Sequence, residues 1–141
     1  MVEVLTVIVV TLVAVVVMVN FKDYVNRSEA IRAMQQLSQI VLEYREKNGK
    51  VPPGSFVDDI KSQLKGGARL GGLQYRGLWI DFEAEPNEIL AYTEKNYASS
   101  LLSDGYIMLQ LDGTVKWMGK EDFKDLLGQQ QSEIEIEMTR K

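Results

Sequence analysis

The 141-residue sequence contains no cysteine and no histidine, and it has three prolines, the first of them at position 52. Without cysteine the chain has neither a disulfide nor thiol chemistry. Without either residue, the usual nucleophilic triads and zinc sites lose their standard members. We therefore expect that the chain is not an enzyme.

The sequence also has no region in which charges of one sign are concentrated. The chain has 16 basic and 20 acidic residues, a formal net charge of −4, with both signs mixed along it. Nucleic-acid binding needs a concentrated basic face, so no nucleic-acid partner is expected. Six acidic residues form loose pairs: Asp58 with Asp59, Glu83 with Glu85, and Asp104 with Asp112. Their spacing implies no catalytic cleft. A helix start accounts for Asp58-Asp59, and turns account for Asp104 and Asp112. No cofactor is expected; calcium held by loop oxygens is left open, with no ligands named.

One long hydrophobic run dominates what is present. Residues Val4 to Val19 read VLTVIVVTLVAVVVMV, and a single acid, Glu3, stands just before them. As a helix this run is about 24 Å long, and Met1, Val2 and Phe21 extend it towards the roughly 30 Å of a bilayer core. A secretory signal is disfavoured because no basic residue precedes the run and no small-residue cleavage site follows it. A strand is disfavoured by length. A plain membrane anchor stays open.

After Asn20 the pattern becomes periodic. Apolar residues recur at spacings of four and three, at Ala30, Met34, Leu37, Val41 and Tyr44. This is the pattern of an amphipathic helix with one buried face. Because no proline or glycine interrupts residues 1–48, we expect one continuous helix, which Asn48-Gly49 and Pro52-Pro53 end.

These features resemble those of type IV pilins and type II secretion pseudopilins. The segment Val2-Glu3-Val4-Leu5-Thr6-Val7-Ile8 is similar to the mature N-terminal run of that family around its glutamate. Tyr44, Gly49 and Pro52-Pro53 follow the spacing at the end of the family's long helix. The segment 112–117, Asp-Gly-Thr-Val-Lys-Trp, resembles the hairpin of bacterial pilin-like proteins, with Thr114 in place of the family's histidine.

The resemblance implies a structural filament subunit in the bacterial inner membrane. It would be a single-pass protein with its globular domain extracytoplasmic, in the periplasm or in a surface filament, after prepilin-type processing and N-terminal methylation. Its partners would be other pilin or pseudopilin subunits, a prepilin peptidase and an assembly platform. Glu3 would pair with the N-terminal amine of a neighbouring subunit during assembly, neutralising two charges in an apolar filament core.

Two alternatives stay open at this point. Glu3 also fits an interfacial acid favoured by the dipole at a helix N-terminus. The chain as a whole also fits a single-pass, membrane-anchored accessory or binding domain that does not polymerise, because the valine-rich run carries no stripe of small residues for tight helix packing.

The family pattern further predicts residues before Met1. Placing Phe-Thr ahead of Met1 would restore the register in which the glutamate is the fifth mature residue. The basic residues near the run, Lys22, Arg27 and Arg32, all follow it, which by the positive-inside rule would hold the domain in the cytoplasm. We therefore expect an upstream basic leader, which would supply the opposite orientation.

The remaining sequence predicts an α+β fold: a long N-terminal helix packed on a small antiparallel sheet, pilin-like in kind. Residues 1–20 form its transmembrane half, residues 21–128 the globular domain including the half-helix 21–48, and residues 129–141 a polar tail that we expect to fray. Strands are expected at residues 78–82 and 89–93. Asp112-Gly113 predicts a two-residue type I′ hairpin between residues 106–111 and 114–118, with Met108 opposite Trp117 and Ile107 opposite Met118. Residues 120–127 read as a short helix.

Overall fold

A computed structural model describes residues 1–81, 83–98 and 101–140. It has an α+β architecture in which one long helix packs on a four-stranded antiparallel sheet. Two short 3₁₀ turns, Gly67–Leu70 and Gly77–Trp79, complete the regular structure. The elements are α1 (Val2–Asn48), α2 (Gly54–Gln63), β1 (Gln74–Tyr75), β2 (Ile89–Lys95), β3 (Gly105–Gln110), β4 (Val115–Gly119), α3 (Lys120–Gln130) and α4 (Glu133–Thr139).

Helix α1 is continuous over 47 residues, about 70 Å at 1.5 Å per residue, which confirms the expected single helix. It ends where Gly49 takes a left-handed conformation at φ 71° and donates its N–H to the carbonyl of Arg45 at 2.7 Å. Glycine adopts that conformation without a steric penalty from Cβ. The sequence signal for the helix end was therefore correct.

The sheet has strand order β1-β2-β3-β4, and both of its faces are covered. Alternate residues of β3 point to opposite faces because the side-chain period of a strand is two. Ile107 and Leu109 pack with α1, whereas Tyr106 and Met108 pack with Phe123 of α3. The second half of α1 and the helix α3 therefore enclose the sheet from its two sides.

The β3–β4 hairpin is present, but the predicted register is wrong by one residue. Ile107 lies opposite Trp117, and Leu109 opposite Val115. The loop holds three residues instead of two, because Gln110 and Thr114 close it through a 2.8 Å bond from Gln110 N–H to Thr114 O. Gly113 alone in this loop has a positive φ, 91°. This is the pattern of a type I turn followed by a glycine bulge, not of a type I′ turn.

We expect Gly113→Val to lower the free energy of unfolding by about 1 to 3 kcal/mol. A branched side chain resists φ 91°, and a Cβ there would lie 2.6 Å from Leu42 Cδ1 and 3.1 Å from Ser38 Oγ. Urea unfolding of the full chain in mild detergent, followed by tryptophan fluorescence, measures the loss. Gly128→Val is the control, because this α3 glycine has open space around it. Equal unfolding midpoints for the two variants would contradict the prediction.

Two further expectations are wrong. Residues 78–81 do not form a strand: Trp79 N–H bonds to Arg76 O at 2.9 Å and Ile80 N–H to Gly77 O at 3.4 Å, so local turn bonds replace a strand ladder. Phe82 lies outside the described residues. Residues 129–140 of the polar tail are not frayed either, because α3 runs on to Gln130 and α4 follows it with Glu135 buried; Lys141 lies outside the described residues. The expected strand at 89–93 is confirmed within β2.

Candidate membrane-anchoring and assembly site

The first half of α1 is apolar and uncovered. Every side chain from Met1 to Met18 is exposed, although all but Glu3, Thr6 and Thr11 are apolar. Within the described chain this is the one helix long and apolar enough to cross a membrane, by length and composition. The exposure of this much apolar surface to water would be energetically unfavourable. The segment therefore has the properties of a membrane anchor.

The two threonines and the asparagine of this half donate hydrogen bonds within the helix. Thr6 Oγ1 donates to Val2 O and Thr11 Oγ1 to Val7 O, both at 2.8 Å. At the far end, Asn20 Nδ2 donates to Val16 O at 2.8 Å. A segment in lipid must satisfy its polar groups internally because no water is present to do so. These three bonds satisfy the hydroxyl donors of Thr6 and Thr11 and one amide donor of Asn20 within the helix.

Glu3 lies in the first turn of α1, where its side chain is exposed. Within residues 1–81, 83–98 and 101–140, it forms no ion pair. A carboxylate at this place is favoured by the helix dipole, and it is free to meet a positive charge from outside the chain. This geometry is compatible with an interfacial acid and with an acid that pairs with the N-terminal amine of a neighbouring subunit.

An aromatic and basic cluster surrounds α1 where the helix enters the domain. The guanidinium carbon of Arg27 lies 4.0 Å from the centroid of the Trp117 ring, and the Tyr97 ring lies 5.9 Å from that of Trp117. Burial raises the pKa of Tyr97 to about 12. Tyrosine, tryptophan and arginine are side chains with an apolar body and a polar end, which suits a membrane–water boundary.

Polar bonds fasten α1 to the domain just beyond this cluster. Lys95 Nζ donates to Asn26 Oδ1 at 3.2 Å and also to the carbonyl of Arg69. Burial, followed by the nearby charge of Arg69, lowers the pKa of Lys95. Arg69 in turn pairs with Glu29 at 2.8 Å. These exposed contacts contribute modest energy individually, but they fix the direction in which the helix leaves the domain.

Further along, α1 holds the β3–β4 loop. Ser38 Oγ donates to Gly113 O at 2.6 Å, and Arg45 Nη1 donates to Leu111 O at 2.5 Å. Ala30, Ala33, Met34 and Leu37 are fully buried in the core cluster that α1 forms with the sheet. The second half of α1 is thus an integral part of the folded domain.

A buried polar centre, which the sequence analysis missed, fastens the C-terminal region. Arg76 is 3% exposed and forms a bidentate pair with Glu135, at 2.7 Å from Nε and 3.0 Å from Nη2. Its remaining donors bond Glu88 at 3.3 Å, Ile89 O at 2.6 Å and Gln130 O at 3.4 Å. All five N–H groups of the guanidinium therefore have acceptors.

The guanidinium of Arg76 lies between two carboxylates, those of Glu135 and Glu88. Burial alone would lower the pKa of Arg76, but its hydrogen bonds with Glu135 and Glu88 and their negative charges outweigh burial and hold the pKa above its usual value. The sequence offered one weak signal, the alternation Glu133-Ile134-Glu135-Ile136-Glu137, which is strand-like and did not change the expectation of a frayed tail. The residues next to Arg76 in the sequence form no pattern that predicts its burial.

One pair of acidic residues, Asp104 and Asp112, accepts hydrogen bonds from backbone N–H groups. Asp112 Oδ1 accepts from Thr114 N–H at 2.9 Å, which lowers the pKa of Asp112, and Asp104 Oδ1 accepts from Tyr97 N–H at 2.7 Å. In the part of the chain that the structure describes, no group of three or more Asp, Glu, His or Cys side chains is arranged to hold a metal ion. Asp104 and Asp112 thus have backbone partners in the loops that carry them.

Comparisons with protein-family models, with curated proteins and with solved structures found no match for this chain.

Proposed function

We propose that this protein is a structural subunit of a filament, of the type IV pilin or type II secretion pseudopilin kind. The observation that carries the proposal is the division of α1 into two halves. The first half is apolar, carries one acid and has nothing packed on it, whereas the second half is the buried spine of the domain. Such a helix can exchange lipid for the helices of neighbouring subunits without disturbing the fold.

The mechanism follows from that division. Subunits wait in the inner membrane with residues 1–20 in lipid, and the domain lies outside the bilayer on the extracytoplasmic side. During assembly the half-helices pack together in the filament core. Glu3 enters this core paired with the N-terminal amine of a neighbour, since an unpaired carboxylate in an apolar core is costly. A prepilin peptidase and an assembly platform are the partners that this pathway requires.

The second candidate is a membrane-anchored domain that does not polymerise. One observation favours it: between Val2 and Val19 the small residues are Thr6, Thr11 and Ala14, with no glycine. Close helix packing in membranes depends on small residues at the contact. A tether would need only apolar length, which this segment has.

Disulfide crosslinking separates the two candidates, because the natural chain has no cysteine. Val4→Cys and Val13→Cys lie nine residues apart and therefore on opposite faces of the helix. In the cells that naturally make the protein, mild oxidation of this double variant should give a ladder of multimers if the half-helices pack in a filament. A tether gives monomers and collision dimers. Glu121→Cys on the exposed surface of α3 is the control for random contact.

Glu3→Gln in the same double-cysteine background tests the charge pairing. Removing one member of a buried ion pair costs about 3 to 5 kcal/mol, so the multimer fraction should fall on the order of a hundredfold. The amount of protein in the membrane should stay unchanged, and Glu3→Asp should retain the ladder. An undiminished ladder with Glu3→Gln would remove the pairing role from Glu3 and leave it as an interfacial acid.

A further inference from the structure

A cleft of about 470 Å³ lies on α1 immediately beyond the membrane half. Two helical rows with a spacing of four residues form its floor, Tyr24-Ser28-Arg32 and Arg27-Ile31-Gln35, and Leu102 lines it from the loop before β3. Its volume is in the range of small-molecule sites in proteins. The cleft belongs to neither the proposed assembly contact at Glu3 nor the buried centre at Arg76.

The charge that lines this cleft is entirely positive. Its two charged residues are Arg27 and Arg32, and neither forms an ion pair with any residue in the described ranges. The remaining polar groups are the Tyr24 hydroxyl, the Ser28 hydroxyl and the Gln35 amide, which can all donate hydrogen bonds. Two guanidinium groups and neutral donors are the chemistry that recognises a phosphate.

The side chain of Arg27 is held in place by an aromatic ring. Its guanidinium lies over the Trp117 ring at 4.0 Å, a stacking that orders the flat group while leaving its N–H edges available. Arg32 is exposed. The site therefore has one fixed and one adaptable arginine, so a phosphate would meet a donor whose position is already set.

The position of the cleft identifies the source of the phosphate. Phe21 is the last large exposed apolar residue of the run before Tyr24, and Tyr24 and Arg27 follow it by about 5 and 9 Å along the helix. The headgroup layer on each side of a bilayer is about 5 to 8 Å thick, and arginine side chains reach towards it. With residues 1–20 in lipid, phospholipid phosphates lie at the mouth of the cleft.

We propose that this cleft binds the phosphate headgroup of an anionic phospholipid. The lipid would set the depth and rotation of α1 before assembly, since a ligand bound to one side of the helix prevents it from turning freely about its axis. The proposal rests on membrane insertion of α1 and is independent of filament formation. It therefore stands or falls separately from the crosslinking result.

The test uses the full-length chain in a mild non-ionic detergent, titrated with short-chain phosphatidylglycerol and followed by native mass spectrometry. We expect one phosphatidylglycerol to bind saturably and at least about tenfold more tightly than phosphatidylcholine, whose headgroup is neutral overall. Arg32→Gln should weaken phosphatidylglycerol binding about tenfold. Lys47→Gln changes the net charge equally at the other, exposed end of α1 and should leave binding unchanged.

Three results would overturn the proposal. Equal affinity for the two lipids would show that the cleft does not recognise anionic headgroups. Equal weakening by Arg32→Gln and Lys47→Gln would show diffuse attraction to the whole chain. Inorganic phosphate binding as tightly as phosphatidylglycerol would show a site for a free anion, without a lipid requirement.

Discussion

Replacing Arg76 with methionine should lower the free energy of unfolding by about 3 to 5 kcal/mol. The substitution removes the guanidinium but leaves the carboxylate of Glu135, which is 2% exposed, without its bidentate partner. It also strips a donor from the carbonyl of Ile89, 2.6 Å away. Among the described residues, the buried charge would keep only the Gln131 amide, 3.4 Å from Oε1, as a side-chain donor, and the buried carbonyl would lose the donor that it has now. Urea unfolding of the full chain in detergent, followed by the fluorescence of Trp79 and Trp117, measures the loss.

Two companion variants make this result specific. Glu137→Met removes an exposed carboxylate from α4, the helix that also carries Glu135. It should change the unfolding midpoint little. The double variant Arg76→Met with Glu135→Met should recover much of the loss, because replacing both members of a buried pair by apolar groups is often close to neutral. If the single Arg76→Met variant unfolds like the natural protein, the pair contributes nothing and α4 is held by other contacts.

Leu37→Asp should cost several kcal/mol of unfolding free energy. Leu37 is fully buried in the core cluster between α1 and the sheet, together with Met34 and Leu109. A carboxylate there would have no cation beside it, and the lost leucine contacts add to the penalty. The same urea experiment detects the change as a large shift of the midpoint or as loss of cooperative unfolding.

Gln39→Asp is the matched control for this substitution. It introduces the same side chain two residues further along the same helix, on the exposed face. Its expected effect is within about 0.5 kcal/mol. Comparable destabilisation by Leu37→Asp and Gln39→Asp would mean that aspartate harms the helix itself, and the burial of the stripe would lose its support.

The long helix was predictable because its signals are local. A run without charges, a period of three and four, and a glycine before two prolines each act within a few residues. The buried stripe of α1 also follows from periodicity: Ala30, Met34, Leu37 and Val41 are buried as the spacing indicates. The hairpin was predictable in existence but not in register, since one extra loop residue shifts every opposed pair and the dipeptide Asp-Gly occurs in both kinds of turn.

The errors at residues 78–81 and in the tail have different physical causes. Residues 78–81 look like a strand by composition, but local turn bonds hold them, and the short β1 just before them pairs with β2 instead. The tail looks too polar to be ordered, but Glu135 finds Arg76, 59 residues away in sequence. From local sequence alone a carboxylate is predicted to be exposed to solvent. Its burial becomes favourable only when a guanidinium is present to pair with it.

By itself, therefore, the sequence determined the length and two-part character of α1, the α+β class and the position of the hairpin, because these depend on side-chain period and on glycine and proline stereochemistry. Only the tertiary structure decided that both faces of the sheet are covered, that the tail is fastened by Arg76, and that Arg27, Arg32 and Leu102 line one cleft. Those arrangements depend on contacts between residues far apart in the chain. No local pattern encodes such contacts, since their favourable energy arises only when the folded chain removes both partners from water together.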